Sequence, residues 1–278
     1  MTIDPRAVAI RFADLWAVDP HQMVDEIYST DIVMENMANP ARVILGSVQL
    51  HAVEDDLAAR IPEHRHELVR VIVGDGVACL ETTVVAPVTH EYAPACVWWW
   101  FDREGKVAAE VGWFDWSDRS NDSKRSHGTV PPSLGAGDRR DASWCAWVAG
   151  EYTRCWTSDP IGSALSMYAP DCTFGRVGRD ELRGVRALAG ARQAELDDLP
   201  PPERWMRVHR VIGEGSVVAM LIAMGDARRV TRGTVVLTFD STDRIVSERT
   251  YCDWNKAVPR DELGARQSVG APDWTLAS

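Results

Sequence analysis

Asp115 closes the stretch Val111-Gly112-Trp113-Phe114-Asp115-Trp116, and a carboxylate at the end of an apolar strand is costly unless it is paired, hydrogen-bonded or used in chemistry. Strand alternation places Val111, Trp113 and Asp115 on one face, where the aspartate could act as a general base in a dry hollow. At a fraying strand end it would instead face water. The pattern returns as Glu248-Arg249-Thr250-Tyr251-Cys252-Asp253-Trp254, where Asp253-Trp254 repeats Asp115-Trp116. The histidines are less suggestive. Glu63-His64-Arg65-His66-Glu67 reads as a solvated strand edge, and His51 lies on a helix that could reach a cavity mouth. No histidine pair has metal-ligand spacing beside an acid, so no metal is expected. Neither a Gly-rich phosphate loop nor a serine or cysteine nucleophile elbow occurs, and no cofactor is expected.

The elements that must position these groups follow from periodicity. Pro5 to Val18 reads as a helix with Val8, Phe12, Leu15 and Trp16 on its buried side, ended by Asp19-Pro20. A short helix over His21 to Tyr28 leads to a strand that begins near Ile32-Val33. Ala38 to Gly46 reads as a loop and Val48 to Ile61 as a third helix. Four strands follow as a meander, His66 to Val73, Val77 to Val88, Ala95 to Asp102 and Lys106 to Asp115, with tight turns at Gly74-Asp75-Gly76 and Arg103-Glu104-Gly105.

After a polar stretch from Ser117 to Asp141 that contains Pro131-Pro132, the plan begins again. Trp16, Asp19, Pro20, Tyr28 and Asp31 return 140 positions later as Trp156, Asp159, Pro160, Tyr168 and Asp171, and Arg70-Val71-Ile72 returns as Arg210-Val211-Ile212. Such agreement at one offset indicates an internal duplication. The expected organisation is a domain over 1–120, a linker over 121–141, a second domain over 142–260 and a tail over 261–278. In each domain the sheet would be curved and covered by helices on one face, with its other face available for packing the two domains as a pseudo-dimer. Trp98-Trp99-Trp100 must send tryptophans to both faces.

Composition narrows the class. With 45% hydrophobic and 26% charged residues the chain can build a sizeable core in each half, and a formal net charge of −11 argues against nucleic acid or an anionic membrane as partner. No signal-peptide pattern or membrane-spanning run is evident, which suggests the cytoplasm, and the six scattered cysteines read as reduced thiols.

Glu35-Asn36-Met37, Pro40, Gly46 and Trp113-Phe114-Asp115 together carry a resemblance. Each half resembles the SnoaL-like cone fold, also called nuclear-transport-factor-like, which includes ketosteroid isomerase, polyketide cyclases and limonene epoxide hydrolase. The first half is most similar to the limonene epoxide hydrolase branch. The resemblance implies an α+β chain of two tandem cone-shaped domains, each with an antiparallel sheet wrapped around helices. It also implies that Asn36 and Asp115 hold and deprotonate a water. That family's tyrosine position falls on Met34, and its Arg-x-Asp pair falls on Thr83 and Val85, so its acid is missing. Glu81 shares a strand face with Thr83 and Val85 and is the expected replacement. Two carboxyls in an apolar hollow separate their pKa values into a base and an acid, here Asp115 and Glu81. The alternative is that Glu81 faces solvent or pairs with an arginine of the other unit. Trp16, Met34, Thr83, Val85, Trp99, Trp113 and His51 are expected to line the substrate hollow. In the second unit Asp253 remains, while Asn36 is replaced by Arg176, an arrangement that more often makes an ion pair. The expected function is acid/base catalysis on a hydrophobic polyketide, terpenoid or steroid-like molecule, by epoxide opening, cyclisation, hydration or dehydration, or isomerisation. A small-molecule-binding or scaffold protein of the same fold is the alternative.

Overall fold

The computed structural model describes residues 4–39, 43–121, 140–177, 179–197 and 204–260. The chain divides into two compact units, Met1–Ala136 and Gly137–Ser278, and is an α+β protein with a separate mixed sheet and its own helices in each. The linker expected at 121–141 falls largely outside the described residues, as does the tail at 261–278.

Unit 1 opens with helix α1 (Pro5–Trp16), started by Asp4, whose side chain accepts the Arg6 N–H at 3.0 Å. Asp19-Pro20 repeats the device for α2 (Pro20–Ile27), where Asp19 accepts from the Gln22 N–H at 2.9 Å. The chain passes directly into β1 (Tyr28–Asn36), earlier than the β-branched pair suggested. The expected loop contains a short strand, β2 (Val43–Leu45), before α3 (Ser47–Arg60). The meander is β3 (Arg65–Gly74), β4 (Val77–Ala86), β5 (Glu91–Phe101) and β6 (Val107–Phe114).

The sheet order is β2-β1-β6-β5-β4-β3. It is mixed where an all-antiparallel sheet was expected, because α3 returns the chain across the sheet and leaves β1 parallel to β6. The three helices pack on one face, where Phe12, Trp16, Met23, Ile27, Leu50 and Leu57 meet Ala78, Leu80 and Trp99 in one apolar core. Trp98 and Trp100 stack on the opposite face with their rings 6.3 Å apart, so the tryptophan run does divide between faces. A bulge between Leu68 and Arg70 shifts the alternation of β3, which sends Val71 and Val73 to the helix side with Leu68 and leaves Arg70 on the other.

Unit 2 repeats the plan. Helices α4 (Ala142–Thr157) and α5 (Pro160–Met167), strands β7 (Tyr168–Arg176) and β8 (Leu182–Arg183), helix α6 (Val185–Asp197) and strands β9 (Trp205–Glu214), β10 (Val217–Gly225), β11 (Arg229–Phe239) and β12 (Ile245–Tyr251) follow in the same order. The sheet order is β8-β7-β12-β11-β10-β9, again with one parallel pair, β7 with β12, and a short β13 (Val258–Pro259) beside β11. All six cysteines are buried free thiols. Among the described residues no helix is long and apolar enough to cross a membrane.

Gly46 ends β2 and launches α3 at φ 81 and ψ 157, a region essentially restricted to glycine, and an added Cβ would lie 3.2 Å from the Thr30 carbonyl oxygen. Gly184 stands before α6 in unit 2 with φ 86. Gly46→Ala is therefore expected to cost about 1–3 kcal/mol in urea unfolding. An unchanged midpoint would mean that the turn does not hold α3 in place.

Candidate active site

Between the helices and the sheet of unit 1 lies a cavity of about 490 Å³. Two carboxyls reach it from opposite walls. Glu54 is on α3, where Leu50, Glu54 and Leu57 recur at helical spacing and share the inward stripe; all three are buried. Glu110 is on β6, where alternation aligns it with the cavity-lining Gly112 and Phe114.

Glu110 is fixed firmly. The Tyr28 hydroxyl and the Trp99 indole N–H both donate to its Oε2 at 2.7 Å, and its Oε1 takes part in neither bond. Burial raises its pKa, and the Tyr28 and Trp99 hydrogen bonds draw it part of the way back. Glu54 has weaker support. Burial, and then the negative charge of Glu110, push its pKa up to about 8, and the nearby Trp16 N–H, which stops short of a formed hydrogen bond, opposes them. At neutral pH Glu54 therefore keeps its proton, while Glu110 is the carboxyl whose oxygen is held by two fixed donors. His66 completes this region. Its ring stacks on Trp16 with centroids 3.4 Å apart, its Nδ1 stands 3.2 Å from Thr82 Oγ1, and burial lowers its pKa well below the usual histidine range. Glu54 Oε2, Trp16 Nε1 and His66 Nε2 are buried without a protein partner, each at a cost of about 1–3 kcal/mol that a bound molecule can relieve.

The structure brings together Asp115, Asn36, Met34 and Trp16 at this cavity. Asp115 arrives there by a different route. The strand stops at Phe114, and Asp115 Oδ1 accepts the Ser117 N–H at 2.8 Å as the cap of a short 3-10 turn, so alternation with Trp113 does not reach it. Asn36 is committed to the backbone. Its amide nitrogen donates to the Phe114 carbonyl at 2.8 Å and its oxygen accepts from the Ala38 N–H at 2.9 Å, so it positions the end of β6.

Glu81 is a correction. It points to the sheet face opposite the cavity, fully buried, with Arg70 Nη1 3.4 Å from its Oε2. The pairing arginine belongs to unit 1 itself, one strand over. Thr83, Val85 and Trp113 share that face and do not line the cavity. Trp99 faces the helices but lies beneath the wall as a donor to Glu110, and His51 is turned to Asp25 at 3.0 Å. The expected solvated edge at His64 and His66 is also corrected, because His64 is buried and His66 borders the cavity.

Unit 2 presents the same framework with one decisive exchange. Phe12, Trp16 and Tyr28 correspond to Tyr152, Trp156 and Tyr168, and Glu110 corresponds to Glu248, but the position of Glu54 holds Arg192. Arg192 Nη2 donates to Glu248 Oε2 at 2.6 Å and to the Tyr168 hydroxyl at 2.8 Å. Tyr152 donates to Glu248 Oε1 at 2.6 Å, and Tyr168 and Thr250 donate to the same carboxylate. The guanidinium lies 5.1–5.2 Å from the rings of Tyr152, Trp156 and Tyr168. Asp253 caps a 3-10 turn through the Asn255 N–H, and Arg176 lies over the Phe174 ring at 6.0 Å. The arginine-carboxylate pair found in this unit, Arg192 with Glu248, is a different one from the Arg176 and Asp253 expected from the sequence.

A scan of protein-family models and a search of curated proteins return no match. Among solved structures, the chain is similar to a SnoaL-like protein of unknown function from Burkholderia thailandensis, at 15% identity over 41% of this chain and 98% of that one, with a TM-score of 0.36. It is similar to an epoxide hydrolase of the limonene epoxide hydrolase-like kind from Mycobacterium tuberculosis, at 16% identity over 41% and 86%, TM-score 0.33. It is also similar to the epoxide hydrolase/cyclase-like enzyme SalBIII of pyran ring formation in salinomycin, at 16% identity over 43% and 98%, TM-score 0.37. Each of these matches spans about two-fifths of this chain. At such identities and scores they carry nothing about the reaction.

The Glu54 pKa has a direct consequence for stability. A carboxyl whose folded pKa lies near 8, against about 4.3 unfolded, keeps its proton in the fold where the unfolded chain has lost it, so stability falls as pH rises between those values. Thermal unfolding from pH 5 to 9 should show this decline in the wild type and a flatter profile in Glu54→Gln, which should be more stable by about 2–4 kcal/mol at pH 9. Parallel profiles would show Glu54 to be solvated.

Proposed function

We propose that unit 1 is a cofactor-independent acid/base enzyme for a hydrophobic small molecule, with protonated Glu54 as general acid and ionised Glu110 as general base. The observation that carries this reading is the pair itself: two buried carboxyls in one largely apolar cavity in unlike surroundings, Glu110 held by the Tyr28 and Trp99 donors and Glu54 with its pKa pushed up to about 8. A base and an acid on opposite walls can remove a proton at one atom of a substrate while giving one to another. Epoxide opening, cyclisation, dehydration and isomerisation share that requirement. Tyr28 and Trp99 position Glu110 by binding Oε2, which leaves Oε1 as the oxygen that would accept the proton. Asp115 stands at the cavity margin, where it would contribute to orienting the substrate or a water. Polyketide, terpenoid and steroid-like epoxides and ketones are suitable substrate classes for a cavity of this size and polarity.

Turnover should be tested on a panel of hydrophobic epoxides and of β,γ-unsaturated ketones followed by NMR. Glu54→Gln and Glu110→Gln should each lower kcat by about 10²–10⁴ with the fold intact by circular dichroism, and Asp115→Asn by less than about tenfold. Wild-type rates in both glutamine variants would exclude the assignment.

A further inference from the structure

The two units of this chain solve the same electrostatic problem differently, and the difference points to a ligand. In unit 2 a buried glutamate lies opposite a guanidinium caged by three aromatic rings. In unit 1 the glutamate is retained, and so are the aromatic positions, as Phe12, Trp16 and Tyr28, all of which line the cavity. What changes is the group supplied from the helix: a second carboxyl stands where the cation was. We propose that the unit 1 cavity binds an organic cation, a protonated amine or guanidinium on a hydrophobic body, with its charged head between the Glu54 and Glu110 carboxyls and against the rings of Trp16 and Tyr28. This goes beyond the proposed function and rests on that reading only in taking the unit 1 cavity for the working site: a cation that draws the Glu54 proton away occupies the cavity in competition with a substrate that needs Glu54 as acid.

The charges around the cavity agree. Glu35, Glu54, Glu110 and Asp115 border it, together with Tyr28 and with a His66 that burial keeps neutral. Arg60 is the basic side chain at its edge, and it is exposed and paired with Asp56 at 2.8 Å. No described cation contributes to the electrostatics of either Glu54 or Glu110, whereas Glu248 is the foremost attraction on Arg192. The orphaned Glu54 Oε2 is an acceptor aimed into this space. A cation placed there favours the ionised form of Glu54, so its carboxyl proton leaves to solvent as the cation enters, and the complex holds two carboxylates around one positive head. Aromatic faces add attraction that an uncharged ligand of the same shape does not receive.

The test is isothermal titration of the full chain at pH 7 with 1-adamantylammonium and with 1-adamantanol, an uncharged molecule of nearly the same shape. Each titration is run in two buffers of different ionisation heat, so that proton release is counted. The ammonium should bind at least about tenfold more tightly than the alcohol and release a fraction of a proton approaching one. Glu54→Arg, which places on α3 the side chain that unit 2 carries on α6, should abolish ammonium binding while circular dichroism remains native. Glu54→Gln serves as the milder variant, and should still bind the ammonium but without proton release. Equal or stronger binding of the alcohol, no ammonium binding up to millimolar concentration, or undiminished ammonium binding by a folded Glu54→Arg protein would overturn the proposal. Failure here with the turnover losses of Glu54→Gln and Glu110→Gln intact removes the cation and leaves the acid/base reading. Ammonium binding with turnover untouched by those variants does the reverse.

Discussion

The buried carboxylate of the last long strand is the constraint that the rest of each unit accommodates. An ionised glutamate in a low-dielectric interior is expensive unless donors and charges are arranged around it. In unit 1 that arrangement ties three elements together, since Tyr28 comes from the start of β1, Trp99 from β5 and Glu110 from β6. In unit 2, Tyr152 from α4, Tyr168 from β7 and Arg192 from α6 meet at Glu248. The aromatic positions, the parallel pairing beside the last strand and the glycine that launches the third helix are common to both units. Their joint effect is to bring one helix residue within reach of that carboxylate.

The identity of that helix residue decides what each unit is. Arginine neutralises the glutamate and lies among the three rings, bonded through Nη2 to Glu248 and Tyr168 while its Nε and Nη1 are buried without a hydrogen-bond partner. Glutamic acid does the opposite. It keeps its proton at neutral pH, brings no countercharge to Glu110 and borders a cavity of about 490 Å³. One half of the molecule is thus electrostatically closed and the other open, although the two share a fold.

Much of the fold was legible because it depends on local chemistry. The Asp-Pro helix starts, the tight turns and the repeated tryptophan, tyrosine and aspartate positions each have a short-range cause, and the duplication multiplies them. The site was legible only in part. Asp115 was found as a carboxylate near an apolar strand end, but its place at the cavity depends on a 3-10 turn that strand alternation does not describe. Glu81 was misplaced because alternation tells which residues share a face and not which face the helices cover. The bulge beside Val69 and the face of Arg70 are likewise tertiary facts. Glu54 was missed because Glu54-Asp55-Asp56 looks like a solvated charge run, although Leu50 and Leu57 flank it at core spacing. Glu110 lies one residue before the apolar stretch Val111-Gly112-Trp113, and its signal in the sequence is the match to Glu248 in the second copy.

The arginine cage of unit 2 also bears on stoichiometry. A tandem duplicate would ordinarily be expected to saturate with two equivalents per chain, and to allow communication between two like sites. In unit 2 the place among the three rings beside Glu248 is already taken by Arg192, a side chain of the unit itself. If the unit 1 cavity takes a cation, the expected stoichiometry is one equivalent per chain with a hyperbolic isotherm.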